Sequence, residues 1–537
     1  MSPFNEEFRF GSAHWAELHE LRRAGLFHPK GPQIGYFGAR SLYLDGDAPM
    51  ITIGGAGSGK LRDDLAYAVC NSRGQRMAIL DPRGEISRIS MIAHTANGEH
   101  AYNWNPMGIA GLPGQSCNPL AILDIRSPNF HADCQFIAES LIPASHSSNG
   151  RYFELRAQEW FGGILTYEVE RNGKVSLPAM VRVINKIEAD PQAWASYIES
   201  MLASHFAHVR RIAGEMLVKQ QDTPKEFGSI LGEIYANTAF LNDPALLAAL
   251  EGDGFDLSVL SDPRRVAKIF FNVPAEYLSL WSPVLRLFFT VIMLLKSRDP
   301  SGPRILLLVD EAGQLGHFEA LLRSYTYGRG AGIRTWAIFQ DIGQIQRNYG
   351  APALQGFLGS AQMRQFFGVR DYETARLISS MLGTETLSYD DTLKQSEARL
   401  QRQEALTQVI FGADPMEVAH KISHYSHAST SRTKQQRPLM SADEIMDMPE
   451  DEQIIFISGK DLPPIRANKY PYFTRKEMAG KYLPNPYHPP TDRVRIAKWF
   501  GMGWAKVITE PAPYSVRDFP QCRNGLWSYV EGFKPQI

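Results

Sequence analysis

Residues 50–70 read MITIGGAGSGKLRDDLAYAVC, and their order decides the fold. An apolar run, Met50–Ile53, leads into Gly54-Gly55-Ala56-Gly57-Ser58-Gly59-Lys60, a G-x-x-x-x-G-K spacing. Leu61, Leu65, Ala68 and Val69 follow at i, i+4, i+7 and i+8, one apolar helix face. Strand, glycine-rich turn, lysine and helix in this order predict a phosphate cradle. Glycines let backbone N–H groups curl round phosphate oxygens, the helix N-terminus adds positive potential, and the lysine reaches the outer phosphates. Gly54 to Leu61 are therefore the expected nucleotide contacts. The position after the lysine ordinarily carries a Ser or Thr hydroxyl for Mg²⁺; Leu61 has none, so the metal must be held by nucleotide, water and other side chains.

Six further strand-like runs lie downstream: Met77–Leu80, Lys268–Val273, Ile305–Val309, Thr335–Phe339, Gln365–Val369 and Ile454–Ile457. Several are apolar throughout, as strands covered on both faces of a parallel sheet are. With helical patterns between them they predict an α/β P-loop NTPase core, a mainly parallel twisted sheet with helices on both sides. The alternation lapses over residues 174–252, which read as an inserted all-α subdomain punctuated by Pro178, Pro191 and Pro224. The expected divisions are residues 1–173 and 253–480 for the two parts of the nucleotide-binding domain, with a polar excursion at 388–436. Residues 481–537 are expected to be an aromatic, proline-rich tail with few regular elements, either wrapping another surface or packing back on the α/β core.

The strand Ile305–Val309 ends in Asp310-Glu311. A carboxylate at the end of such a strand suits a water-mediated contact to Mg²⁺, the expectation for Asp310. Glu311 suits a general base that polarises the attacking water. Gln340, after the strand TWAIF, is the expected sensor of the outermost phosphate. Arg329 and Arg334 are candidate arginine fingers toward a neighbouring subunit's nucleotide, or else members of surface ion pairs.

Composition sets bounds on these readings. Of 537 residues, 44% are apolar and 21% charged, as in a globular protein. Lys+Arg 56 against Asp+Glu 57 gives a net charge of -1, so there is no overall basic signature of nucleic-acid binding. The four cysteines, Cys70, Cys117, Cys134 and Cys522, have no metal-ligand spacing and read as reduced thiols. The most apolar stretch, Val284 to Leu295, is a dozen residues long with Arg286 inside it, against the roughly 20 that a spanning helix needs. The expectation is a cytoplasmic protein with no direct membrane span.

The motifs together resemble the VirD4/TraG family, the coupling-protein ATPases of type IV secretion and conjugation. The resemblance runs from about residue 9 to residue 475. It rests on Gly11–Ala16, Gly35–Gly38, Asp81-Pro82-Arg83-Gly84-Glu85, Asp310–Gly316, Gly328–Ile333, Phe339-Gln340-Asp341, Asp371–Ala375, Ser379–Gly383, Arg437-Pro438-Leu439 and Asp443-Glu444-Ile445. It implies a RecA-like core in a homo-hexameric ring, ATP and Mg²⁺ as cofactors, and single-stranded DNA or secreted protein as cargo. The usual N-terminal transmembrane helices are missing from the match, so recruitment to the inner membrane is expected through a membrane subunit of the secretion system. The expected docking surfaces are the N-terminal segment and the tail with Trp499, Trp504, Tyr514 and Trp527. Two rivals stay open: a soluble DNA pump of the FtsK/HerA kind, and a nucleotide-bound cargo adaptor with little hydrolysis.

Overall fold

The computed structural model describes residues 8–143, 150–410, 415–428 and 432–537. In chain order the first strands are β1 (Gln33–Phe37), β2 (Arg40–Tyr43), β3 (Met50–Gly54), β4 (Arg76–Pro82) and β5 (His100–Trp104). After a long helical stretch come β6 (Ala267–Val273), β7 (Ile305–Val309), β8 (Ile333–Phe339) and β9 (Met363–Phe367). They are followed by β10 (Thr384–Tyr389), β11 (Thr433–Pro438), β12 (Glu452–Ile457) and β13 (Ile465–Asn468). The last three are β14 (Arg493–Lys498), β15 (Gly501–Pro511) and β16 (Leu526–Val530).

Eleven of these form one sheet in the order β2-β1-β13-β12-β9-β3-β8-β7-β4-β6-β5. From β9 to β5 every neighbouring pair is parallel; β12, β13, β1 and β2 add an antiparallel edge. All seven apolar runs are strands of this sheet, and β3, β6, β7 and β8 are buried at every residue. The antiparallel edge is less legible in the sequence because its strands are short and half polar.

The helical insert lies between β5 and β6. The helical run starts earlier than residue 174, with helices Phe130–Leu141 and Arg151–Asn172, and Pro244–Ala249 is its last α-helix before β6. The long helix Arg151–Asn172 buries Trp160, Phe161, Ile164 and Leu165 among the other helices, so its pattern does not separate it from a core helix. Pro178, Pro191 and Pro224 each stand at the start of a helix, where the missing N–H would have no partner anyway. The polar excursion is an antiparallel ribbon, β10 with β11, carrying helices Thr392–Ile410 and Pro415–Ala428; residues 411–414 and 429–431 of it lie outside the described residues.

The tail is more regular than expected, and of its two open readings the structure shows packing on the core. β14, β15 and β16 form a three-stranded antiparallel sheet that packs on the chain's own core. Val494, Ile496, Ala505 and Val530 join Tyr36, Tyr67 and Ile89 in one buried cluster, while Trp527 and Tyr529 pack with Ile92 and Leu483 in another. Trp527 is 4% exposed, whereas Trp499 at the β14–β15 turn is 84% exposed and Tyr514 is exposed too. The aromatic content therefore splits between internal packing and an exposed tip. The N-terminal candidate docking segment is described only from residue 8 onward.

Candidate functional site

The loop after β3 is shaped by backbone approach. A Cβ on Gly55 would lie 2.1 Å from the Gly368 carbonyl oxygen, and Gly59 has φ +81° with its missing Cβ facing the Asp63 carboxylate. Only glycine fits these two places. Past the loop, Lys60–Leu65 winds as a π-helical turn before Ala66–Cys70 continues as α-helix. The looser turn buries both Asp63 and Asp64 beneath the loop.

The strand order brings the predicted residues together. β8 lies between β3 and β7, so the ends of all three open on one edge of the sheet. Lys60 Nζ donates to Glu311 Oε1 at 2.7 Å, and Gln340 Nε2 donates to Glu311 Oε2 at 2.8 Å. Glu311 is thus clasped between a cation from one loop and an amide from another. Its backbone has φ +53°, and Arg83 at the end of neighbouring β4 has φ +83°. Left-handed backbone at non-glycine residues is strained, and such strain gathers at functional sites. The Glu311 N–H donates to Asp310 Oδ1 at 3.0 Å.

Burial pushes the Asp310 carboxyl up to about 6, with the Lys60 ammonium pulling the other way. Burial likewise raises Asp81, at the end of β4, to about 8, although the Ser87 N–H donates to it at 2.7 Å. Two adjacent strand ends therefore carry carboxyls that a nearby positive charge would ionise. The Oδ1 of Asp81, Oε1 of Glu85 and Oγ of Ser58 are buried without hydrogen-bond partners. Among the described residues no group of three His, Cys, Asp or Glu side chains converges on a common metal position. The donors fit a cation held mostly by phosphate and water, with Asp310 as the protein's contribution. Leu61 cannot add to it, being packed between two apolar clusters.

The two arginines differ. Arg334 is inside β8, 7% exposed, donating from Nε to Ala48 O at 3.0 Å and from an Nη to Leu44 O at 3.1 Å; burial lowers its guanidinium to about 10. It cannot reach a neighbour, and that candidacy is withdrawn. Arg329 precedes β8, at the opposite end of the strand from the phosphate loop, and its exposed side chain pairs with Asp47 at 3.0 Å. Within one chain the structure does not bring it to Lys60.

Other contributors were not legible in the sequence. Lys469, just after β13 and 1% exposed, donates from Nζ to Ser58 O at 2.8 Å and lies 4.1 Å from the Phe367 ring centroid. It pins the phosphate loop from below. A cavity of about 970 Å³, in the range of cofactor sites, spans the loop, Asp310, Glu311 and Gln340 on one side and Tyr482, Asn485, Arg495 and Trp504 on the other. Tyr487 closes the same edge, its hydroxyl donating to Arg83 O at 2.9 Å under the Arg83 guanidinium. More than 400 residues separate the phosphate loop from the second wall, and no local pattern links them.

Compared with known proteins, residues 14–490 match the family model described as Type IV secretory system Conjugative DNA transfer. The chain belongs to that family. Protein VirD4 of Rhizobium radiobacter is 23% identical over 87% of the chain and 64% of its own length. Conjugal transfer protein TraG of the same organism is 27% identical over 50% of the chain and 38% of its own length. The chain thus spans between about two fifths and two thirds of the length of these relatives. Among solved structures, plasmid coupling protein TrwB in complex with ADP and Mg²⁺ aligns with TM-score 0.59 at 16% identity, covering 86% of the chain and 94% of TrwB. TrwB with a non-hydrolysable ATP analogue aligns at 0.58 and 16% identity, over 88% and 96%. The fold is accordingly the RecA-like P-loop NTPase core. Among the described residues no helix is long and apolar enough to cross a membrane.

The Leu61 side chain gives a direct test of metal handling. Leu61→Ser is expected to lower the Mg²⁺ concentration for half-maximal nucleotide turnover, at a packing cost of about 1–3 kcal/mol for the lost apolar contacts. An unchanged Mg²⁺ dependence in a folded variant would mean that the metal position is complete without a hydroxyl there.

Proposed function

We propose that the chain is an ATP-driven coupling protein that recruits single-stranded DNA or secreted protein substrates and drives them toward a type IV secretion or conjugation channel. The observation that carries this reading is the Lys60–Glu311–Gln340 contact chain, formed by family motifs from three strand ends. Lys60 and the Gly54–Leu61 amides bind the phosphates. Asp310 would hold Mg²⁺, which when bound would neutralise charge on the outer phosphates. Glu311, tied to Lys60 at rest, is released as the lysine turns to phosphate and then takes a proton from the attacking water. Gln340 keeps the Glu311 carboxylate aimed at that water.

The family resemblance implies that the active form is a ring, a homo-hexamer assembled on nucleotide and DNA. In it Arg329, exposed beyond its Asp47 contact, faces a neighbour's nucleotide. Cargo is gripped without base readout. Attachment to the inner membrane comes from a separate secretion subunit, for which the exposed Trp499 and Phe500 offer an apolar contact. Single-turnover ATPase assays with and without long single-stranded DNA, run beside sedimentation, test the reading. The expected result is faster turnover and a ring on DNA. A monomer whose slow turnover ignores both DNA and unfolded polypeptide would overturn it in favour of the adaptor reading that Leu61 suggests.

A further inference from the structure

β14 alternates in direction. Val494 and Ile496 turn into the buried cluster on Tyr67 and Ile89, which leaves Arg493 and Arg495 on the opposite face, toward the cavity. Most cations bordering that space are already engaged. Lys60 is held by Glu311, Arg62 by Asp63 at 2.6 Å, and Arg83 lies 3.6 Å from Glu85 and over the Tyr487 ring. Arg493 is 3.8 Å from Asp492 and 5.4 Å above the Trp504 ring. Arg495 is exposed to the cavity and, among the described residues, its guanidinium meets no carboxylate. Its backbone is fixed: the carbonyl accepts from the Tyr482 hydroxyl, and Arg495 stands directly opposite Trp504 in the β14–β15 register. The three strands of this module lie beyond the span matched by the family model, which ends at residue 490.

We propose that Arg495 is a nucleotide-binding residue, and that the C-terminal sheet closes the phosphate site from within the same chain. The inference rests on the nucleotide reading above and adds the ligand group: the outer phosphates of a nucleoside triphosphate. A triphosphate carries several negative charges, while the loop supplies one ammonium that is shared with Glu311 and no hydroxyl at Leu61. A guanidinium with no ion pair among the described residues, carried on a paired strand, meets phosphate oxygens with two parallel N–H donors and without breaking an existing ion pair. It also makes the site dependent on a segment more than 400 residues from the loop, so that nucleotide binding and seating of the C-terminal sheet reinforce each other.

The full-length chain is titrated with a fluorescent ATP analogue, which unlabelled ATP, ADP and adenosine then displace. Arg495→Gln is expected to weaken ATP roughly ten- to hundredfold, the usual loss for a charge-assisted contact, and adenosine little. Arg495→Lys is expected to recover part of the affinity. Because Arg495 is exposed, a matching thermal midpoint shows that the fold is intact. Lys60→Ala run in parallel separates the two ideas. If Lys60→Ala binds ATP normally, the nucleotide reading itself fails. If Lys60→Ala loses ATP while Arg495→Gln binds like the parent, only this inference is overturned. An equal loss for ATP and adenosine overturns the assignment to phosphate.

Discussion

Glu311→Gln is expected to retain nucleotide and lose turnover by about 10²–10⁴, the usual contribution of a positioned general base. Glutamine keeps the shape of the side chain, and its amide oxygen can still accept from Gln340, now 2.8 Å from the Glu311 carboxylate. It cannot take a proton. Removing the carboxylate also releases Lys60 from a 2.7 Å ion pair, so phosphate binding is preserved or strengthened. Lys60→Ala is expected to do the opposite, weakening nucleotide roughly 10–100-fold through loss of a charge-assisted contact. Equilibrium binding measured beside single-turnover phosphate release distinguishes the pair. Equal loss of binding in both variants would remove the catalytic role given to Glu311 and leave it a structural partner of the lysine.

The second large effect concerns stability. Lys268 lies in β6 between β4 and β5, wholly buried, and its Nζ donates to Glu99 Oε2 at 2.5 Å and to Ser72 O at 3.3 Å. His94 Nδ1 is 3.2 Å from the same carboxylate oxygen, and burial with the Lys268 charge holds the imidazole down to about 4, so it is neutral at pH 7. Lys268→Met then leaves the buried Glu99 carboxylate without its lysine and facing only the buried His94 ring. The expected cost is about 3–5 kcal/mol, seen as a lower urea midpoint followed by tryptophan fluorescence. Adding Glu99→Gln to Lys268→Met is expected to restore part of the loss, because the uncompensated charge is gone. A single variant within about 1 kcal/mol of the parent would mean that Glu99 is neutral or solvated in the folded protein.

That lysine also marks how far local pattern carries. Lys268–Val273 reads as a strand because its apolar residues dominate, and it is one; the charge inside it makes sense only with Glu99 placed beside it. The central strands, the phosphate loop and the Asp310-Glu311 pair were all legible, because each depends on residues within a few positions of one another. The tail was not. Its alternation in β14 covers six residues, carries two arginines and sits among prolines, so nothing in the segment says what it packs on.

By itself the sequence determined the α/β class, the family, and the residues able to hold phosphate, since glycine spacing and apolar runs act through local backbone sterics and burial. Tertiary structure decided which of them meet. Placing β8 between β3 and β7 joins Lys60, Glu311 and Gln340, and the same strand takes Arg334 into the interior. Packing alone sets Lys469 beneath the loop and Arg495 on the far wall of the cavity. The physical reason is that strand order and docking are chosen by the burial of whole faces against distant segments, a balance that no short window of sequence contains.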